Sequence, residues 1–247
     1  LAVVRTQGAA HHYRFVGIQF RPAAGVDVND LIVLGDGGAT SADALAHDVV
    51  IDRCIVRGDP AVGGKRGIQL NARAVGVVDS WFTDWKRVGQ DTQALLGWNT
   101  PGPFRIVNNQ LEGAGENMMF GGADAQIADV IPTDIEICGN TFLKPLRWKV
   151  DDPGYEGTHW SIKNLFELKV GRRVLVAGNT FEHSWTDAQT GFAIVIKSAN
   201  QDGGQPWAVT EHVNFVYNVI RRANGGMAVS RTDGGSLGTN HVRIAGN

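Results

Sequence analysis

The alternation of apolar and polar positions repeats one motif along the chain. FRIVNN (104–109), DIEICGN (134–140), RVLVAGN (173–179), HVNFVYN (212–218) and HVRIAGN (241–247) share alternating apolar positions followed by Asn. DVVIDR (48–53) and AVGVVDS (74–80) fit the same template with Arg53 and Ser80 at the Asn position. Period-two alternation over five or six residues predicts half-buried strands, and Asn suits the turn because it tolerates a left-handed backbone. Measured between these turn positions, the repeat is 27 to 39 residues long.

Two further strands complete each repeat. A short one follows the turn, as at Thr141 and Phe142 or Thr180 and Phe181. After a variable loop comes a third: GIQLN (67–71), QALLG (93–97), NMMFG (117–121), NLFELK (164–169), FAIVIK (192–197) and MAVSR (227–231). Ordinary hairpins would account for the first two strands but not the third. Three strands per repeat predict an all-β solenoid, a right-handed parallel β-helix of about seven to eight coils, with 1–247 as a single domain.

The pattern resembles the pectate-lyase-like superfamily of right-handed β-helices. Asn109, Asn140, Asn179, Asn218 and Asn247 look like the asparagine ladder of that superfamily, and the likeness runs from about Tyr13 to Asn247. The chain begins and stops inside the pattern, as a trimmed part of a longer chain would.

Composition changes this picture little. A hydrophobic content of 43% provides for a core, and the net charge of −2 gives no global attraction to nucleic acid. No apolar run is long enough for a membrane-spanning helix, so membrane insertion is not expected. Cys54 and Cys138 lie about three coils apart, roughly 14 Å at strand spacing, too far for a disulfide.

Candidate chemistry concentrates on the third strands. If Phe166 and Leu168 point inward, Glu167 and Lys169 point outward, and alignment of later coils adds Lys197 and Arg231 as a basic stripe. Upstream, the same sheet offers Asn71, Trp98 and Asn99, and nearby loops supply Asp84, Asp91, Glu112, Glu116 and Asp187. A pair of those carboxylates would serve glycoside hydrolysis. Trp85, Trp98, Trp148, Trp160, Trp185 and Trp207 fall in or beside loops, where indole faces stack on sugars. Trp81 takes the place of Thr in later coils. The long loops 144–163 and 198–210 flank the Lys169 and Lys197 coils, which puts the expected site there.

Other signals are weaker. Calcium is a possible cofactor through Asp151, Asp152 and Asp202, and no metal site is otherwise expected. His11 with His12, and His183, show no partner at metal-ligand spacing. The resemblance implies a secreted or cell-surface protein acting on an acidic polysaccharide by β-elimination. Lys169 would be the base, with Glu167 and Lys197 beside it; Arg231, Trp98, Asn99, Asn71, Glu116, Asp91 and Trp207 would bind the polymer. A lysine among like charges releases its proton more readily, as a general base requires. The superfamily's Arg-x-Pro-x-x-Arg segment and its Asp trio for calcium are missing, which weighs against pectate itself. The alternatives are a non-catalytic glycan-binding or structural module and a glycoside hydrolase using paired carboxylates; spike-like β-helices are commonly trimeric, and an oligomer is compatible with the sequence without being required by it.

Overall fold

A computed structural model describes residues 2–247. The chain winds through three parallel sheets in strict rotation. Sheet A contains eight strands, sheet B eight and sheet C seven, and each strand pairs with its equivalents one coil away. The fold is a three-strand-per-coil parallel β-helix of eight coils. A representative coil runs through Arg66–Asn71 in sheet A, Arg73–Val78 in sheet B and Trp81–Trp85 in sheet C. The only helical elements among the described residues are two 3-10 turns, Ala42–Ala44 and Leu146–Trp148.

The periodicity works because each coil repeats the same inward positions. On sheet C, Val56, Phe82, Leu111, Phe142 and Phe181 align and are fully buried. The Phe142 and Phe181 rings stack at 4.5 Å, and Phe181 stacks on Phe215 of sheet B at 5.7 Å. These offset aromatic contacts add to the burial energy of the column.

The ladder turn is the second determinant. Asn140 Oδ1 accepts from the backbone N–H of Asn109 at 2.9 Å, and its Nδ2 donates to the Ile106 carbonyl at 2.8 Å. Asn109, Asn179, Asn218 and Asn247 repeat this donation to the carbonyl of the coil before. The ladder continues upstream with Ser80, whose hydroxyl accepts from the Cys54 N–H at 3.0 Å. The equivalent position in the second coil is therefore Cys54, and the alignment through Arg53 is corrected by one residue. Arg53 occupies the preceding left-handed position, with φ 50°, as do Asp79, Asn108 and Gly139 in later coils. The Cys54 thiol takes over the amide's role and donates to the Phe15 carbonyl at 3.5 Å. Both cysteines are free thiols.

Two strands of sheet A, Val4–Arg5 and Asp30–Gly35, extend the solenoid upstream of the repeats legible in the sequence. The run Leu31 to Leu34 is buried on both faces, so it lacks the alternation that marks the other strands.

Candidate functional site

On sheet C the outward positions of neighbouring strands form polar columns. Arg57 aligns with Thr83, and Trp81 aligns with Ile55 on one side and Gln110 on the other. Thr83 Oγ1 donates to Glu112 Oε2 at 2.6 Å, linking the third and fourth coils. Asp84 follows Thr83 with φ 63°, a value repeated at His183 and Arg222 of later sheet C strands. This left-handed residue is thus a property of the sheet's bend, and here it turns a carboxylate toward the outer face.

The loop 144–163 folds over these strands and completes a pocket of about 360 Å³. Gln19, Arg57, Trp81, Asp84, Glu112 and Glu156 are among its walls, with Arg147 across the top. One guanidinium nitrogen, Arg147 Nη2, lies 3.4 Å from Asp84 Oδ1 and 3.7 Å from Glu112 Oε2. Laid end to end those distances put the two oxygens at most 7.1 Å apart. Arg147 Nε also meets Glu156 Oε2 at 3.4 Å. Asp84 faces two more cations, Arg57 at 3.2 Å and Lys86 at 3.5 Å. Lys86 is buried, reaches Glu156 at 2.7 Å, and lies over the rings of Trp160 and Trp148 at 4.8 and 5.5 Å.

The pocket therefore gathers three carboxylates around the Arg57 and Arg147 guanidinium groups, beside an exposed indole, with the buried Lys86 ammonium behind Asp84 and Glu156. Trp81 is 44% exposed, the one large exposed tryptophan surface among the described residues. Trp85, Trp148, Trp160 and Trp185 are buried and pack the solenoid corner and its covering loop; they do not offer sugar platforms. Trp98 and Trp207 are half-buried, the latter donating to the Val130 carbonyl at 3.1 Å.

The other residues expected to form a site lie elsewhere. Glu167 points to the outer side of sheet A but is buried in line with Met119 and Val195, and pairs with Lys169 at 3.6 Å. Lys169 and Lys197 are neighbours: the Lys197 N–H bonds the Leu168 carbonyl as the Lys169 N–H bonds Phe120. The next rung presents Ser230, whose N–H bonds the Ile196 carbonyl. Arg231 is one residue out of register, so the basic stripe ends after two members. Lys197 is held by Asp233 at 3.0 Å, and Lys169 also bonds Gln201 at 3.2 Å.

Asn71 and Asn99 are fully buried and act as turn supports. Asn71 Oδ1 accepts from the Trp98 and Asn99 N–H groups, and Asn99 Nδ2 donates to three carbonyls of the 36–39 turn. They are buried and bonded to backbone, as the ladder asparagines are. Glu116 is buried against Gln93 at 2.7 Å; burial, with the Glu167 charge adding, pushes its carboxyl above the ordinary value of 4.5, against the pull of Lys163. Asp91 bridges to Lys163 at 2.6 Å, and Asp187 meets His159 at 2.5 Å. Of the acids expected in the site, Asp84 and Glu112 come together at Arg147 in the pocket, while Asp91 and Glu116 share the Lys163 nitrogen, at 2.6 and 3.7 Å, with Glu116 buried. Asp151 pairs with Lys149 at 2.7 Å, while Asp202 packs its N–H on Asp124.

Sequence reasoning missed Arg147 and Glu156. The loop's length was the available signal, but it pointed to the lysine coils, whereas the loop covers sheet C upstream of its own insertion.

Fold and site define a parallel β-helix with a pocket of paired charges walled by an inserted loop. No protein-family model, no curated protein and no solved structure matches the chain.

Proposed function

We propose that this β-helix is a glycan-active protein that hydrolyses glycosidic bonds in the sheet C pocket. The observation that carries this is the juxtaposition of Asp84 and Glu112, from adjacent coils, around one Arg147 nitrogen. Glycoside hydrolysis needs two carboxyl groups flanking the bond, about 5 to 9.5 Å apart depending on stereochemistry; the shared Arg147 nitrogen caps the separation of the facing oxygens at 7.1 Å, which excludes the wide end of that range. Asp84, facing three cations, is assigned the base or nucleophile. Glu112, with one cation and neutral donors from Thr83 and Gln110, is assigned the acid. Trp81 provides the stacking face for a sugar ring, and the column continuing through Gln110, Thr141 and Thr180 provides one polar contact per coil along the polymer.

A polymeric substrate goes with a secreted or surface location. β-Elimination at Lys169 and Lys197 is the competing chemistry, supported by their adjacency in neighbouring coils. A panel of neutral and uronic acid polysaccharides separates the two: hydrolysis releases reducing ends without ultraviolet absorbance, and elimination produces both. New reducing ends alone, lost in Glu112→Gln, support hydrolysis; an unsaturated product lost in Lys169→Ala overturns it.

A further inference from the structure

A different face carries a second, independent cluster. His11 and His12 open the first strand of sheet B, His11–Val16, and the next coil pairs with it through His47–Asp52, His11 aligned with His47. His12 and Asp48 both have left-handed backbones, with φ 61° and 52°, so consecutive residues do not alternate across the sheet as they would in a regular strand. Adjacent side chains from two adjacent coils therefore converge on the same outer edge. Donor atoms of His12, His47 and Asp48 all lie within 4.8 Å of one another.

Asp48 Oδ2 is central, 2.7 Å from His47 Nδ1 and 3.9 Å from His12 Nε2. Ligands of a tetrahedral ion bound at about 2.0–2.1 Å are about 3.3 Å from one another, so these separations bracket the required edge. The far nitrogen of His12, Nδ1, bonds His11 Nδ1 at 2.6 Å, and the His11 ring stacks on His47 at 4.8 Å. This is the outer-shell contact that fixes the tautomer and orientation of a ligating imidazole.

We propose that His12 Nε2, His47 Nδ1 and Asp48 Oδ2 form a site for a borderline-soft divalent cation such as Zn²⁺, with His11 orienting His12 and a fourth position open to water. Two imidazoles with one carboxylate favour a transition metal over Ca²⁺ or Mg²⁺, which prefer oxygen donors. The same left-handed column brings Glu211, His212 and His241 together in the last two coils. There Arg172 already occupies Glu211 at 2.6 Å and Asn240 holds His241 Nδ1 at 2.6 Å, so that cluster serves as an internal control.

The test is titration of the metal-free chain with Zn²⁺ against a chromogenic chelator, repeated with Ca²⁺, and with Co²⁺ read by its visible absorption. His47→Ala and Asp48→Asn are the informative variants, because Asn tolerates the left-handed backbone at position 48; far-ultraviolet circular dichroism confirms that each stays folded. The expected result is one Zn²⁺ bound, no competition from Ca²⁺, affinity lowered at least tenfold in both variants, and no change in a His212→Asn, His241→Asn double variant. Failure of the folded wild-type chain to bind Zn²⁺, or binding that survives His47→Ala and Asp48→Asn, overturns the proposal, as does binding lost in the double variant alone.

Discussion

At the residue scale, the ladder asparagines do more than mark turns. Each satisfies a backbone N–H and a carbonyl of the coil before, so removal strands two buried groups there. Asn140→Ala is expected to cost about 2–4 kcal/mol, measured by denaturant unfolding, since each stranded buried polar group costs roughly 1–3 kcal/mol. A loss below about 0.5 kcal/mol, the range of an inconsequential surface change, would mean that the ladder is decorative. Glu116 makes an opposite prediction. Its carboxyl titrates above its unfolded value of 4.5, so its contribution to stability is fully present below that value and is lost as pH rises through the folded one. Glu116→Gln keeps an acceptor for Gln93, removes this loss, and is expected to flatten the fall of stability above that pH, as followed by thermal unfolding across a pH series. An unchanged slope would assign the pH dependence to other groups.

At the scale of the element, the strands were legible and the elements that build the site were not. Sheet B announced itself through strict alternation ending in Asn, and sheet A through short apolar runs after each loop. Cys54 hid the ladder's start because a thiol replaces the amide there, donating to the same carbonyl position. The acids of the pocket could be listed but not paired: Asp84 and Glu112 lie on strands of five and four residues, and their proximity depends on coil register plus a bulge between Leu111 and Gly113. Nothing in the spacing tells which coil an inserted loop will cover. The buried tryptophans explain the loop's course: Trp148, Trp160 and Trp185 pack with Ala114 and Ile162 beneath it, and Trp160 Nε1 donates to Glu156 Oε1 at 2.5 Å. Trp160→Ala is therefore expected to open the loop to limited proteolysis within 144–163 and to lower hydrolytic activity. The solenoid's main unfolding transition should move much less than for Phe181→Ala, where loss of a buried core ring costs about 3–5 kcal/mol. Equal destabilisation by the two changes would show that the loop is part of the core rather than a cover.

At the scale of the molecule, the solenoid presents long faces on which one residue per coil repeats at the strand spacing of about 4.8 Å. Each face has been used differently. The outer side of sheet A is largely closed, with Val33, Leu96, Met119 and Glu167 buried, which is why the lysines at its edge form a short pair bound to local carboxylates instead of a continuous stripe. Sheet C is open around Trp81 and carries a pocket that two of the expected acids, Asp84 and Glu112, face together. The measurement that bears most directly on this assignment is the rate of reducing-end release from a polysaccharide cleaved by the wild-type chain, compared across Glu112→Gln, Asp84→Asn and Lys169→Ala. Loss of a positioned acid or base costs roughly 10²–10⁴ in rate, so the two carboxylate variants are predicted to fall at least a hundredfold while Lys169→Ala stays near wild type. The reverse order, with Lys169→Ala inactive and both carboxylate variants active, would contradict the account and move the chemistry to sheet A.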